Sequence, residues 1–268
     1  MILLSSISSL VFNLLVATKK IAACARSVLL IAGFAVISGC ATGPNANPSD
    51  PLEPLNRTVY KFNDGVDRAI LKPVATAYVN VIPSMVRKGV SNFFDNLEDA
   101  WSFVNSTLQL RPAHAADNFF RVVLNTFFGL GGLLNVADEA GIERHPEDLG
   151  KTLGRWGVPS GPYVVLPLIG PTTLRDSFTI VTELNADPVS RINQSKIRDS
   201  TKVLRGVELR AKFLKLDDFL DNAALDKYSF TRDAFLQKRR ASIYRPGEPE
   251  KEADKDEDFS KESKEPAK

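Results

Sequence analysis

Few side chains in this chain are reactive enough to carry chemistry. Cysteine occurs only at positions 24 and 40, and histidine only at 114 and 145. Two histidines with no HExxH arrangement would need carboxylates to complete a zinc site, and the cysteines offer no metal-binding pattern. The segment HPEDLGKT, His145 to Thr152, ends like a phosphate-binding loop. That loop needs a glycine five positions before Gly150, where its backbone turns tightly around phosphate, and His145 stands there instead. Ser160 lies in VPSGP, which is not the GxSxG of a nucleophile elbow. Asp176 follows Arg175, an arrangement that fits an ion pair in a turn better than a catalytic acid. No nucleophile, base and orienting group come together, so the expectation is no enzyme, no metal and no cofactor.

Cys40 is different, because of what precedes it. It ends the run Val36-Ile37-Ser38-Gly39-Cys40, after an apolar stretch that starts at Val28. Lys19, Lys20 and Arg26 lie upstream with no acidic residue. A basic start, an apolar middle and small residues at the cut site describe a bacterial export signal. A cysteine directly after those small residues adds lipid attachment, as in the lipobox of bacterial lipoproteins. The competing reading is a signal anchor with an incidental cysteine. Residues 1–39 are thus expected to be the signal, with lipidation at Cys40. One fatty chain gives marginal membrane binding and two or more give stable anchoring. Ala41, in place of the Asp that resembles an inner-membrane retention signal in enteric bacteria, favours the outer membrane. Met1 to Leu15 form an apolar extension ahead of the basic pair, which fits a long signal or a later true start. The N-x-S/T triplets at Asn56, Asn105 and Asn193 mean little in an exported bacterial protein.

The mature chain from Cys40 is long enough for one domain with a real core. The formal charge is +2 overall. The signal carries three of the cations, so the mature part is near neutral and has no clustered basic face for nucleic acid. Residues 40–50 form the lipidated N-terminus and a short polar tether. Residues 246–268 form a tail of charged residues with almost nothing apolar, expected to stay disordered and solvated.

Between them, residues 51–245 read as helices. Leu55, Val59, Phe62, Val66 and Ile70 recur at spacings of three and four. Pro73 suits the start of a short helix and Pro83 opens a longer one. On the latter, Val86, Val90, Phe93, Leu97, Trp101, Val104 and Leu108 share a stripe. Ser91, Asn92, Asp95, Asn96, Glu98 and Asp99 fall largely on its other faces. Pro112 begins a helix through Phe119, Phe120, Val123 and Phe127. Leu204, Val207, Ala211 and Leu214 mark another, and Lys227 to Ile243 the last. Only Tyr163 to Leu166 is β-prone, and Pro162 and Pro167 bound it.

Two features are unusual for a globular bundle. Phenylalanine occurs sixteen times, partly in pairs such as Phe93-Phe94, Phe119-Phe120 and Phe127-Phe128. Adjacent helical positions point about 100° apart, so each pair widens the apolar face. Such faces suit either a thick core or helices lying in lipid. The run Phe127 to Leu134, with Gly129, Gly131 and Gly132, is apolar and too short to span a bilayer as a helix.

Four segments in order resemble the MlaA lipoproteins, also called VacJ. They are DPLEPLNRTVYKFNDGVDRAILKPVATAY from Asp50, GVSNFFDNLEDAWSFVNSTLQ from Gly89, FFRVVLNTFFGLGGLLNVADEAGI from Phe119 and EDLGKTLGRWGVPSGPYVVLPLIGPTTLRD from Glu147. The resemblance spans nearly the whole mature domain. It departs at Asn135, where the family usually has Asp, and at Ser177 to Val181, where a more polar stretch is usual. It implies a mainly α fold: a flat ring of amphipathic helices in the membrane leaflet, with few or no strands. It implies an outer-membrane lipoprotein facing the periplasm. Such a protein removes mislocalised phospholipids from the outer leaflet through an amphipathic channel and keeps the two leaflets asymmetric. The implied partners are phospholipid, the outer-membrane bilayer, the periplasmic carrier MlaC and a trimeric porin. Gly129, Gly131 and Gly132, with the stretch Asn135 to Pro146, are the candidate for a hairpin controlling that channel; a plain helix–helix turn is the alternative. The competing overall function is a lipid-anchored adaptor of the cell envelope that conducts no lipid. A lipid hydrolase is a more distant third.

Overall fold

The computed structural model describes residues 50–223 and 226–244. Cys40, the signal and the 246–268 tail therefore lie outside the described residues. Helix α1, Glu53–Val66, runs into a π-helical turn at Asp67–Leu71. Helix α2 is Lys72–Val81, with Pro73 in its first turn. Pro83 sets the start of α3, Ser84–Leu108, and Pro112 is the first residue of α4, Pro112–Phe127. In first-turn positions proline gives up only an N–H that has no partner in the helix, which is why these sequence signals hold. Two short helices follow, α5 at Val136–Glu139 and α6 at Leu149–Arg155. Helix α7 is Leu174–Ala186, and a 3-10 turn at Pro188–Arg191 leads to the long α8, Ser195–Ala223. Helix α9 is Lys227–Ile243, the range expected from its sequence. The fold is mainly α. No described helix is long and apolar enough to cross a membrane.

The β-prone run does become a strand. Strand β1, Tyr163–Leu166, pairs antiparallel with β2, Gly170–Thr173. Gly170, at φ +99°, supplies a left-handed turn that few side-chain-bearing residues adopt. The free edge of β1 is covered by side chains. The Asn56 Nδ2 donates to the Tyr163 carbonyl at 2.9 Å, and the Val165 N–H donates to Asn56 Oδ1 at 2.9 Å. Two turns along α1, Asn63 repeats the pattern with the Leu166 carbonyl and the Leu168 N–H, at 2.9 and 2.8 Å. The two amides act as a surrogate strand and satisfy an edge that would otherwise pair with another chain. Against this sheet lies a small apolar cluster of Tyr163, Val165 and Tyr228, flanked by Val59, Tyr60, Phe235 and Leu236.

Elsewhere the interior is polar. On α3 the buried positions include Asn96, Asp99, Ser102, Asn105 and Ser106; on α4 they include Asn118, Arg121 and Asn125. The spacing is helical, so one polar face of each helix meets the other. Arg121, 1% exposed, donates through Nε to Asp99 at 3.0 Å and through Nη1 to Asp138 and to the Ile142 carbonyl, both at 2.7 Å. Arg144 donates to the other Asp99 oxygen at 2.6 Å. Asp99, fully buried, is thus held between two guanidinium groups. Asn118 reaches Ser106 and the His145 carbonyl, at 3.1 and 2.9 Å. Ser102 takes the Glu147 N–H at 2.9 Å. The Glu147 carboxylate then receives Gln109 at 3.0 Å and Arg111 at 2.9 Å. These bonds pin the non-helical segment 142–148 across α3 and α4.

A second knot fixes α6, α7 and α9. Arg239 on α9 grips both Asp148 oxygens, at 2.5 and 2.6 Å, and Asp176 at 2.7 Å. Asp176 also accepts from Arg175 at 3.0 Å, so the sequence-expected ion pair forms. Gly150, the glycine of the phosphate-loop look-alike, makes room for this knot. A Cβ there would lie 2.3 Å from Asp176 Oδ1 and 2.4 Å from Arg239 Nη2.

Two outcomes follow for stability. Arg121→Met leaves the buried Asp99 with Arg144 alone and should cost about 3–5 kcal/mol, whereas Arg121→Met with Asp99→Leu should recover part of it, Arg144 keeping Asp95 and Glu98 as partners. Denaturant unfolding in a detergent micelle measures both. Burial alone would raise the Asp148 carboxyl, but the hydrogen bonds and charge of Arg239 outweigh it and hold the group below the ordinary range. A lowered folded value means stability that is present above the unfolded value, near 4, and lost as pH falls through the folded one. The thermal midpoint should therefore fall as pH drops below about 4, and Arg239→Met should flatten that acid limb.

Candidate functional site: an amphipathic cavity and an apolar exterior

The apolar faces read from the sequence point outward. Met85, Val86, Val104 and Leu108 on α3 are exposed, as are Phe119, Phe120 and Phe127 on α4. Phe178 and Val181 on α7 and Val203, Leu209 and Phe213 on α8 add to this surface. Phe127 is 78% exposed and Met85 84%, while asparagines on the same helices are buried. Large contiguous apolar surface on a folded protein marks contact with lipid or another partner. Many of these apolar side chains are thus exposed rather than packed into a thick core.

Within the fold, a cavity of about 690 Å³ opens between α3, the start of α6, α7, the 3-10 turn and α8. Phe94, Leu97, Trp101, Ile180, Leu184 and Leu209 supply apolar wall. Seven carboxylates and three cations also line it. Most of these charges are already matched. Asp95 lies 3.3 Å from both Arg144 and Lys212, and Glu98 lies 3.1 Å from Arg144. Glu208 pairs with Lys212 at 3.0 Å and Asp187 with Arg205 at 2.9 Å. Glu147 and Asp148 belong to the Arg111 and Arg239 contacts described above. Glu183 accepts the Leu149 N–H at 2.8 Å and forms no ion pair among the described residues. Burial, then the nearby Asp148 charge, pushes its carboxyl above the ordinary range. The combination of oily walls and fixed charges suits an amphipathic guest of lipid size better than a small polar metabolite.

The glycine segment is an ordered turn that closes α4. Gly132 donates to the Asn125 carbonyl at 2.8 Å and Leu134 to the Gly129 carbonyl at 2.8 Å. Gly131 and Gly132 sit at φ +73° and +94°. A Cβ on Gly129 would lie 2.2 Å from the Leu134 oxygen, and one on Gly132 would lie 2.8 Å from Asn96 Nδ2. Asn92 Nδ2 on α3 donates to the Leu133 carbonyl at 2.9 Å. The turn is therefore pinned to α3 on one side, while Phe128 and Leu130 are exposed on the other. Asn135 caps α5 by accepting the Asp138 N–H at 3.2 Å, and segment 135–146 is anchored through Arg121 and Arg144.

The two histidines lie side by side. Their rings stack at 3.8 Å, with His145 Nε2 3.0 Å from Asp117. Among the described residues no group of three or more His, Cys, Asp or Glu could hold a metal ion. Sequence reasoning found the apolar stripes and missed the cavity and the buried Arg121–Asp99 pair. The signal was available as the complementary polar stripe Asn96, Asp99, Ser102 and Ser106 on α3.

The model of the MlaA lipoprotein family matches residues 48–242. The intermembrane phospholipid transport system lipoprotein MlaA of Escherichia coli (strain K12) is 38% identical over 219 residues, covering 80% of this chain and 86% of that protein. The protein of the same name from Haemophilus influenzae is 32% identical over 209 residues, covering 75% and 83%. A solved structure, reported under "Structural basis for maintenance of bacterial outer membrane lipid asymmetry", superimposes with a TM-score of 0.65. It is 38% identical, and the match covers 73% of this chain and 99% of the other. With the family match spanning nearly the whole helical domain and the fold in agreement, the chain belongs to the MlaA lipoprotein family.

Proposed function

We propose that this protein helps to keep the outer membrane asymmetric by withdrawing phospholipids from its outer leaflet. In this reading Cys40 carries the acyl anchor and the apolar helix faces lie in the inner leaflet, with the helices arranged as a ring. The cavity between α3, α7 and α8 is the lipid path. The observation that carries it is the reversed distribution of side chains: polar residues inside, apolar residues outside, and an amphipathic cavity between the helices. The names of the similar proteins, which describe intermembrane phospholipid transport and lipid asymmetry, support the same role.

The physics is consistent with passive transfer. Moving a charged headgroup through hydrocarbon is costly, and a path with fixed charges removes much of that cost. Movement downhill to a soluble carrier such as MlaC needs no nucleotide. A trimeric porin would hold the protein at the outer membrane. The glycine turn is the proposed control element. It abuts α3 through Asn96, whose neighbours Asp95 and Leu97 line the cavity, so a change in the turn reaches the lipid path through α3.

Deleting the gene should raise outer-leaflet phospholipid, and the wild-type gene should reverse this. Cys40→Ala should not, because the precursor would be unprocessed or mislocalised. Unchanged surface phospholipid on deletion, in an otherwise intact membrane, would favour the adaptor role instead. Gly131→Val with Gly132→Val should disturb asymmetry at normal protein level. Unchanged asymmetry would remove the control role of the turn.

A further inference from the structure

The cavity has one charge of each sign left over. Six of its seven carboxylates lie within 4.0 Å of an arginine or lysine, and Arg205 and Lys212 each face a carboxylate. Glu183 on α7 and Lys202 on α8 are the exceptions. Among the described residues Glu183 accepts one backbone N–H and has no arginine or lysine within ion-pair distance, the Arg239 charge acting on it only from further off, and Lys202 meets no carboxylate. A third group is also unmatched. The Trp101 indole N–H, on α3 at the same cavity, is buried and finds no acceptor among the described residues.

From this residue, deepening the function proposed above and resting on it, we infer that the cavity selects phospholipids whose headgroup carries a primary ammonium. Lys202 and the Trp101 N–H are a cation and a neutral donor, the complement of a phosphodiester. Glu183 is an acceptor for an ammonium. A zwitterionic ethanolamine headgroup satisfies both ends at once, while Phe94, Leu184 and Leu209 offer apolar wall to the chains. An anionic glycerol headgroup brings phosphate for Lys202 and no cation for Glu183. Because the remaining carboxylates are neutralised by fixed protein cations, they add little that would attract or repel either headgroup nonspecifically. Selection then rests on the single unmatched carboxylate, which charge-assisted hydrogen bonds make the stronger discriminator.

The test uses the full lipidated protein in nanodiscs of equal phosphatidylethanolamine and phosphatidylglycerol. Protein re-extracted in mild detergent is analysed for bound lipid by mass spectrometry. The wild type should hold phosphatidylethanolamine in about threefold to tenfold excess, the scale of one partly buried charge pair. Glu183→Gln keeps an acceptor for the Leu149 N–H and should bring the ratio to that of the nanodisc. Lys202→Ala should lower the total lipid held without reversing the ratio. Wild-type protein holding lipid in the nanodisc ratio, or enriched in phosphatidylglycerol, would overturn the headgroup inference and leave the lipid path standing. Wild-type protein holding no lipid would overturn both. The wild-type ratio decides the question even where a variant fails to fold.

Discussion

The structure depends on Asp99 being held by two arginines. Asp99 sits mid-way along α3, Arg121 mid-way along α4, and Arg144 in the segment that crosses them. A carboxylate fully removed from water is tolerable only when paired and hydrogen-bonded on all sides. Satisfying it fixes the register of α3 against α4 and draws residues 135–148 over both. Asn118, Ser102 and Gln109 extend the same logic along the seam. In water such a seam would be a weak substitute for an apolar core. Next to hydrocarbon it becomes the better choice, because apolar side chains gain nothing by leaving one oily medium for another.

That constraint explains the rest of the arrangement. With the polar faces committed inward, the Phe119-Phe120 and Phe127-Phe128 pairs are turned to the outside, while Phe94 lines the cavity. The cavity forms where α7 and α8 do not close against α3, and its walls show both characters because it lies at the junction of the polar seam and the apolar exterior. Charges that line it are held by partners from the two knots, Arg144 from one and Arg239 from the other. The cavity wall and the scaffold therefore share residues.

Much of the helical layout was legible in the sequence. Prolines 73, 83 and 112 mark helix starts because proline is tolerated in a helix's first turn or just before it and not in its interior. Strand β1 was marked by its β-branched run, but its partner was not, since Gly170-Pro171-Thr172-Thr173 has little strand character and is held by the turn and by Thr172 and Thr173 being buried. The direction of the apolar faces was ambiguous, because periodicity gives a stripe and does not say which solvent it meets. The cavity was illegible for another reason. It depends on side chains from α3, α7 and α8, the first and last of which lie more than a hundred residues apart, and only the fold brings them together. Gly150 adds a different lesson: the phosphate-loop look-alike, ruled out in the sequence by His145, is where a glycine lets Arg239 approach two aspartates.

The outward-facing phenylalanines have a calorimetric consequence. Heat-capacity change on unfolding comes chiefly from apolar groups that pass from a dry interior into water, and polar groups contribute with the opposite sign. Here the apolar groups are already outside and the polar ones inside, so unfolding within a micelle transfers mostly amides, hydroxyls and ion pairs. The stability curve of this protein should then be flatter with temperature than that of a water-soluble helical domain of equal length, with its maximum less sharply defined and cold denaturation pushed further out of reach.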